Sequence, residues 1–262
     1  MDKEDKIVQT VDKGEDSDDN PIVVKKIKTA KSSLPQSAYM EAEIINKFPS
    51  LTLIVGKSGS GKSNVLVHIL TKQEFLGNFF DDIYLFSPTA KSDDLVEHLN
   101  LDEEHIIDKL NLDAIEKLNT IIKKQDDKIK SQGIKSVAKT SKVLIVCDDC
   151  ISEKVFMKSD ILTRLATAGR HSLISTIILS QSYTKVPRII RLQSQGLILF
   201  PSSNDELELL NQDLCPPNTT KKAFMSLIKY ATHEPYSFLY VNHHVKNQDE
   251  KFRKNFDKII TC

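Results

Sequence analysis

The chain has 262 residues, enough for one large α/β domain or two modest ones with a sizeable buried core. The chain has 36 Lys and Arg residues and 36 Asp and Glu residues, so it lacks the excess of positive charge expected of a protein that coats nucleic acid. Four scattered cysteines, no signal sequence and no apolar run of membrane length favour a soluble, intracellular protein with no membrane partner.

The N-terminal residues predict a disordered, charged tail over 1–34. Residues 1–20 are rich in Asp, Glu and Lys, so they cannot offset the entropy cost of ordering. A basic stretch with Lys25, Lys26, Lys28 and Lys31 follows. A solvated linker is favoured there over a contact with DNA phosphates, because charge runs are usually solvated.

Short apolar runs alternate with helical patterns from Leu51 onward, which is typical of a mainly parallel sheet flanked by helices. We therefore expect one α/β domain over residues 35–245. The predicted strands are 51–55, 83–86, 143–147, 176–180 and 196–200, with a further edge strand at 236–241.

Helical spacing predicts helices over 64–70, 160–168 and 220–231, and a long helix whose apolar positions recur from Ile107 to Ile122. Beyond it, the lysine-rich segment 123–142, with Gly133 as a break, indicates an exposed excursion rather than core. The mixed charges of 246–262 predict a C-terminal tail or surface helix.

A glycine-rich loop lies between the first strand and the first of these helices, which is the context that a phosphate-binding loop requires. Successive backbone N–H groups of such a loop wrap the phosphates of ATP, Lys62 reaches the β and γ phosphates, and the Ser63 hydroxyl ligates Mg²⁺. The alternative, a chance glycine-rich turn, is disfavoured by the flanking strand and helix. The loop residues are Gly56, Lys57, Ser58, Gly59, Ser60, Gly61, Lys62 and Ser63.

Two acids end the buried strand 143–147, where Asp148 is the candidate on the metal side and Asp149 the candidate that orients or deprotonates the attacking water. The alternative is that both only cap the next helix. Cys147 and Cys150 flank these acids, but a zinc or redox site lacks a second ligand pair, so buried thiols are favoured.

Gln181 follows the strand 176–180. If that strand lies between the loop strand and the acid-bearing strand, Gln181 lies near the γ-phosphate and senses it. Taken alone, it would be a surface glutamine.

Arg170 follows a helix-ending glycine and is expected where the carboxyl ends of the strands lie. There it would be the arginine that stabilises phosphoryl-transfer charge in its own or a neighbouring subunit. Arg188 and Arg191 are alternatives, and each of the three arginines also suits a DNA phosphate or a surface ion pair.

Four segments together resemble the FtsK/HerA-type P-loop ATPases, and within them the A32-like genome-packaging ATPases of large DNA viruses and virophages. They are Leu-Ile-Val-Gly-Lys-Ser-Gly-Ser-Gly-Lys-Ser at 53–63, Leu-Ile-Val-Cys-Asp-Asp at 144–149, Gly-Arg-His at 169–171, and Ile-Ile-Leu-Ser-Gln-Ser-Tyr-Thr-Lys-Val-Pro at 177–187. The resemblance covers roughly residues 48–200 and leaves the segment after Phe200 outside it. One departure is Asp149, where Glu is common in the wider group.

The resemblance implies a RecA-like, additional-strand P-loop NTPase fold and an ATP-hydrolysing motor that translocates double-stranded DNA into a preformed capsid. It also implies a homo-oligomeric ring, capsid or portal-vertex proteins as partners, and a location in the viral factory of the host cytoplasm or in the virion. The alternative function is a P-loop nucleotide kinase or another DNA-independent NTPase. No arginine-rich lid supports a kinase, no Asn-Lys-x-Asp supports a GTPase, and the intact loop disfavours a scaffold without turnover.

Overall fold

Nine strands form one sheet in the computed structural model, which describes residues 34–90, 94–201 and 203–261. The predicted tail therefore lies outside the described residues except for Leu34. The order across the sheet is β3-β2-β4-β5-β1-β6-β7-β8-β9. The strands are β1 (Leu51–Val55), β2 (Asp82–Phe86), β3 (Ile106–Ile107), β4 (Val143–Asp148), β5 (Ile174–Ser180), β6 (Gly196–Leu199), β7 (Leu239–Asn242), β8 (Phe252–Lys254) and β9 (Lys258–Ile259).

The six strands from β3 to β6 pair in parallel, whereas β7, β8 and β9 extend the sheet in antiparallel fashion. Every residue of β4 and β5 is buried because helices cover both faces of the sheet. These covered strands consist of β-branched and other apolar residues, as the sequence predicted. The fold class, a mainly parallel α/β sheet of the P-loop NTPase type, is thus confirmed.

Two apolar layers lie on opposite faces of this sheet. One layer contains apolar residues of α4 and α6 to α10, and the other those of α1, α2 and α5. The helices are α1 (Ala38–Glu41), α2 (Lys62–Thr71), α3 (Asp94–Leu99), α4 (Leu112–Gln132), α5 (Ile134–Thr140), α6 (Lys154–Lys158), α7 (Ile161–Ala168), α8 (Arg188–Gln193), α9 (Asn204–Leu214) and α10 (Lys221–Ala231). Among the described residues, none of the helices is both long and apolar enough to cross a membrane.

The position of β5 decides where the site lies. This strand separates β1 from β4, with Val55 opposite Ser180 and Asp148 opposite Leu179. The prediction for Gln181 required a strand between the loop strand and the acid-bearing strand, and β5 is that strand. The carboxyl ends of β1, β4 and β5 meet at one edge of the sheet, which we call the carboxyl edge, and the opposite end is the amino edge.

Two predictions about the periphery are corrected by the structure. The segment 123–142 is exposed over most of its length and breaks at Gly133 as predicted, but it is not an excursion, because the side chains of Gln125, Val137 and Ala138 are buried. Gln125 also donates from Nε2 to the Ser141 carbonyl at 2.8 Å. The segment 246–262 is not a helix or tail over its described part, since it supplies β8 and β9.

Candidate active site

The phosphate loop joins β1 to α2 at the carboxyl edge. Gly59 and Gly61 have φ angles of 74° and 105°, in the left-handed region that favours glycine. Lys62 begins α2, and its side chain turns back so that Nζ donates to the carbonyls of Gly56 at 2.8 Å and Lys57 at 3.0 Å. The lysine is only 9% exposed. Burial lowers the pKa of its amine, and the nearby carboxylates of Asp149 and Asp148 oppose this shift.

Gly56 is required by a close approach rather than by its backbone angle. A Cβ atom at this position would lie 2.6 Å from Phe200 Cβ and 2.6 Å from Ser60 Oγ. Contacts this short do not occur in folded proteins, and the Phe200 backbone is fixed in the sheet next to β6. Any larger side chain at position 56 would therefore push the loop away from the sheet.

The two predicted acids follow the sheet edge as expected. Asp148 is the last residue of β4, is 8% exposed, and accepts a hydrogen bond from Ser87 Oγ at 3.2 Å. Asp149 has a φ of 50°, which turns its side chain away from the strand direction. Its Oδ2 accepts from Gln181 Nε2 at 2.7 Å, whereas its Oδ1 is buried and has no hydrogen-bond partner. The structure thus joins Asp149 and Gln181 directly.

One cavity of about 580 Å³ connects these elements. It brings together five of the eight predicted loop residues, both acids and Gln181, whereas Gly56, Lys57 and Ser60 do not line it. It also adds residues that the sequence patterns did not indicate. Thr89 and its neighbour Ser87 follow β2, so the carboxyl-edge rule that located the acids also applies to them. Tyr236 had no such signal. The lining residues are Ser58, Gly59, Gly61, Lys62, Ser63, Asn64, Thr89, Asp148, Asp149, Gln181 and Tyr236.

Comparison with known proteins identifies the family. A family model described as Poxvirus A32 protein matches residues 38–258. The chain belongs to the poxvirus A32 protein family. The match extends well beyond Phe200, so the expectation that the later segment lies outside the resemblance is wrong. The A32-family chain is an ATPase of viral DNA packaging, and nothing observed favours a nucleotide kinase.

Solved structures share the fold of this A32-family chain. The genome packaging NTPase B204 from Sulfolobus turreted icosahedral virus 2, in complex with AMPPCP, is 15% identical, covers 76% of this chain and 95% of its own, and has a TM-score of 0.51. The DNA-packaging ATPase B204 from Sulfolobus turreted icosahedral virus is 16% identical, covers 74% of this chain and 93% of its own, and also has a TM-score of 0.51. At this identity the likeness shows the fold alone. No curated protein sequence matches the chain.

The predicted position of Arg170 in the A32-family chain is wrong. Arg170 lies between the C-terminus of α7 and the start of β5, and it lines a separate cavity of about 210 Å³ with Asn242 and His244. The reason is the direction of α7, which leaves the carboxyl edge after β4 and returns to the amino edge before β5. Arg170 therefore lies at the opposite end of the sheet from the phosphate loop of its own chain.

The two alternative arginines differ in their surroundings. Arg191 donates from Nε to Asp213 Oδ2 at 2.8 Å and from one terminal nitrogen to the Val186 carbonyl at 2.8 Å. Its guanidinium also lies 5.1 Å from the centre of the Tyr183 ring. These contacts indicate a structural ion pair. Arg188 is exposed at the start of α8.

The donor set of the cavity fits Mg²⁺. Asp148 and the Ser63 hydroxyl line the same cavity, and both offer the hard oxygen atoms that Mg²⁺ prefers. The described part of the chain holds no cluster of three or more His, Cys, Asp or Glu residues that could bind a metal unaided. This agrees with a metal that takes its other ligands from phosphates and water.

Cys147 and Cys150 are both fully buried beside this site. Cys150 Sγ donates to the Phe86 carbonyl at 3.3 Å, and burial raises the pKa of its thiol well above the usual range. A thiol that stays protonated is neither a good nucleophile nor a good metal ligand. The pair therefore packs the end of β4.

Proposed function

We propose that this A32-family ATPase uses ATP hydrolysis at the carboxyl edge to translocate double-stranded DNA into a preformed capsid. One observation carries the proposal: the loop lysine, the two acids and Gln181 converge on one cavity in a chain of this family. The site would work in the viral factory or the virion, with capsid or portal-vertex proteins as partners. The similar fold of B204 from Sulfolobus turreted icosahedral virus 2 was solved with the ATP analogue AMPPCP, which supports ATP as the nucleotide.

Lys62 and the loop would bind the phosphates. The Lys62 amine donates to two loop carbonyls, which are weaker acceptors than phosphate oxygens. Ser63 and Asp148 would hold Mg²⁺, whose positive charge would offset the negative charge of the phosphates. The depressed pKa of Lys62 does not remove its charge from this role, because a γ-phosphate beside the amine favours the protonated form.

Asp149 and Gln181 would act on the attacking water. Gln181 donates to Oδ2 of Asp149 and so fixes the carboxylate, which leaves Oδ1 as the acceptor for a water proton. A buried acceptor without a partner costs free energy, so the chain gains when a water molecule donates to it. Asp is one methylene shorter than Glu, and the left-handed backbone at Asp149 sets where this shorter side chain projects. We therefore assign Asp149 as the base or orienting group and Gln181 as the residue that positions it.

Arg170 would serve a neighbouring subunit. Its place at the amino edge separates it from the loop of its own chain. In a homo-oligomeric ring where the amino edge of one subunit faces the carboxyl edge of the next, Arg170 would reach the neighbour's γ-phosphate and stabilise the developing charge. The ring itself is part of the proposal.

The first test is steady-state ATP hydrolysis with and without linear double-stranded DNA. We expect DNA to stimulate the wild-type protein and added salt to weaken the stimulation, since phosphate contacts release counterions. Lys62→Ala should lower turnover at least about 100-fold, whereas Lys72→Ala, at an exposed lysine beyond the other end of α2, is the matched control. If hydrolysis requires Lys62 but DNA does not change its rate at any salt concentration, the protein is an ATPase and the proposed DNA motor is refuted.

A second test addresses the neighbouring subunit. Arg170→Ala subunits retain an intact loop, and Lys62→Ala subunits retain an intact arginine. Mixing the two inactive variants should restore part of the activity, because some interfaces then combine both intact groups. If activity stays absent at every mixing ratio while light scattering shows mixed assemblies, Arg170 does not act across the interface.

A further inference from the structure

A second cavity, of about 740 Å³, adjoins the cavity of the phosphate loop. The two share Gly61, Asn64 and Tyr236, so they are continuous at the first turn of α2. The first cavity has no aromatic lining residue except Tyr236, whereas the second has five, beside polar groups that include Glu74 and Asp257. Its aromatic lining residues are Tyr39, Phe75, Phe238 and Phe256, together with Tyr236.

The direction of a bound nucleotide follows from the ends of the first cavity. Lys62 and the acids mark the end that receives the γ-phosphate. The first turn of α2 runs from Lys62 away from the acids to Asn64, and its N–H groups would meet the remaining phosphates. A nucleoside attached to those phosphates therefore leaves the loop past Asn64, which is where the second cavity begins.

Tyr236 stands at the junction. Its φ of 62° is uncommon for a bulky residue, and its side chain is 69% exposed although it lies beside the loop. A Cβ atom on Gly61 would lie 3.4 Å from Tyr236 Cδ1, so the ring is close to the loop backbone. An exposed aromatic ring held in this way offers a flat face to a planar ligand.

The second cavity also contains a donor that has no acceptor. Arg253 is 6% exposed, and its terminal nitrogens are bonded to Glu250 Oε2 at 3.0 Å and to the Phe256 carbonyl at 3.5 Å. Its Nε–H, however, is buried and has no partner. The ion pair with Glu250 fixes Arg253 in the cavity wall, and the aromatic side chains beside it suit a planar heterocycle such as a purine base.

We propose that the second cavity is the base subsite of this ATPase and that Tyr236 stacks on a purine whose phosphates occupy the loop. The proposal rests on the proposed function, because it assumes that the loop binds a nucleoside triphosphate. It adds the residue that distinguishes a nucleotide from bare polyphosphate. Sequence patterns gave no sign of this role, since Tyr236 follows α10 and lies far along the chain from the loop.

The test compares two ligands by isothermal titration calorimetry in the presence of Mg²⁺: ATP, and inorganic tripolyphosphate, which has no base. Tyr236→Ala should raise the Kd for ATP about tenfold, because stacking is lost, and leave the Kd for tripolyphosphate unchanged. Tyr236→Phe should retain the affinity for ATP. Tyr230→Ala is the matched control, because Tyr230 is another exposed tyrosine and lines neither cavity.

Other outcomes overturn the assignment. Equal weakening of both ligands by Tyr236→Ala would mean that the tyrosine only supports the loop, and unchanged affinity for both would remove it from the site. A wild-type chain that binds tripolyphosphate and ATP equally well would refute the base subsite while the phosphate loop stands. A wild-type chain that binds neither ligand would refute the proposed function as well.

Discussion

The buried polar groups at the two edges of the central sheet differ in their hydrogen bonding. At the amino edge, Asn46 Nδ2 donates to the Gln195 carbonyl at 2.9 Å and to Asn242 Oδ1 at 2.7 Å, and Gln195 Oε1 accepts from the Leu51 N–H at 2.6 Å. At the carboxyl edge, Asp149 Oδ1 and Ser60 Oγ are buried without partners. The amides of the amino edge are thus paired within the chain, whereas one carboxylate oxygen and one loop hydroxyl of the carboxyl edge are not.

This difference separates residues that fix the fold from residues that await a ligand. A buried polar group without a hydrogen bond costs free energy, so a chain keeps such groups where a ligand completes them. Paired amides at the amino edge instead tie β1, β6 and β7 to the segment before β1. Substitutions at the two edges should therefore change different measured quantities.

The largest effect is expected at the carboxyl edge. Asp149→Asn should lower kcat about 100-fold or more, because an amide cannot accept the water proton as a carboxylate does. Asparagine tolerates the left-handed backbone, so ATP affinity and stability should be preserved. Asp160→Asn is a matched control, since Asp160 also has a left-handed backbone, with φ of 54°, and is exposed away from the site. A kcat for Asp149→Asn near that of the wild type would remove Asp149 from the chemistry.

Substitutions at the amino edge should lower the stability of the fold. Asn46→Ala removes the donor to Gln195 and Asn242 and should lower the free energy of unfolding by about 2 kcal/mol. The Kd for ATP should not change. Urea denaturation and ATP titration of the same variant measure the two quantities, and Asn119→Ala, which removes an exposed contact with Arg164, gives the baseline. If Asn46→Ala has normal stability but binds ATP weakly, the assignment of the amino edge to the stability of the fold is contradicted.

A smaller effect is expected from pH at the amino edge. Burial lowers the pKa of His243 to about 4, and the charges of Lys251 and His244 contribute. The unfolded chain binds a proton near pH 6.5 and the folded chain only near pH 4, so stability is complete above 6.5 and falls as the pH is lowered towards 4. We expect a loss of about 1–2 kcal/mol from this residue. His243→Gln should flatten that part of the profile in urea denaturation, and an identical profile in both proteins would contradict the assignment.

Much of the parallel sheet was predictable because its strands are buried on both faces. The runs that become β1, β4 and β5 contain mostly β-branched and aliphatic residues, and the carboxyl-edge rule then places the loop, Asp148, Asp149 and Gln181 together. The same rule applied to β2 would have found Ser87 and Thr89. The position of Arg170 was also derivable, because a helix that connects two parallel strands must end at the amino edge.

Other parts of the fold could not be read from local patterns. Strand β8 consists of Phe252, Arg253 and Lys254, and its two charged residues are buried with partners that lie outside the strand, Glu250 for Arg253 and Glu234 for Lys254. The segment 123–142 has many lysines, but a few buried positions such as Val137 decide where it packs. Tyr236 joins the loop through a tertiary contact that leaves no trace in its neighbourhood along the chain.

The contact between Gly56 and Phe200 has a mechanical consequence. Phe200 lies 5.5 Å, centre to centre, from the ring of Phe238, which lies 5.1 Å from that of Phe256, and Phe256 lies 4.9 Å from that of Phe75. The rings meet tilted or edge to face, at interplanar angles of 55°, 67° and 64°. Because packed rings resist compression, a phosphate that moved the loop backbone would press on this row of rings, which continues to the turn between β8 and β9.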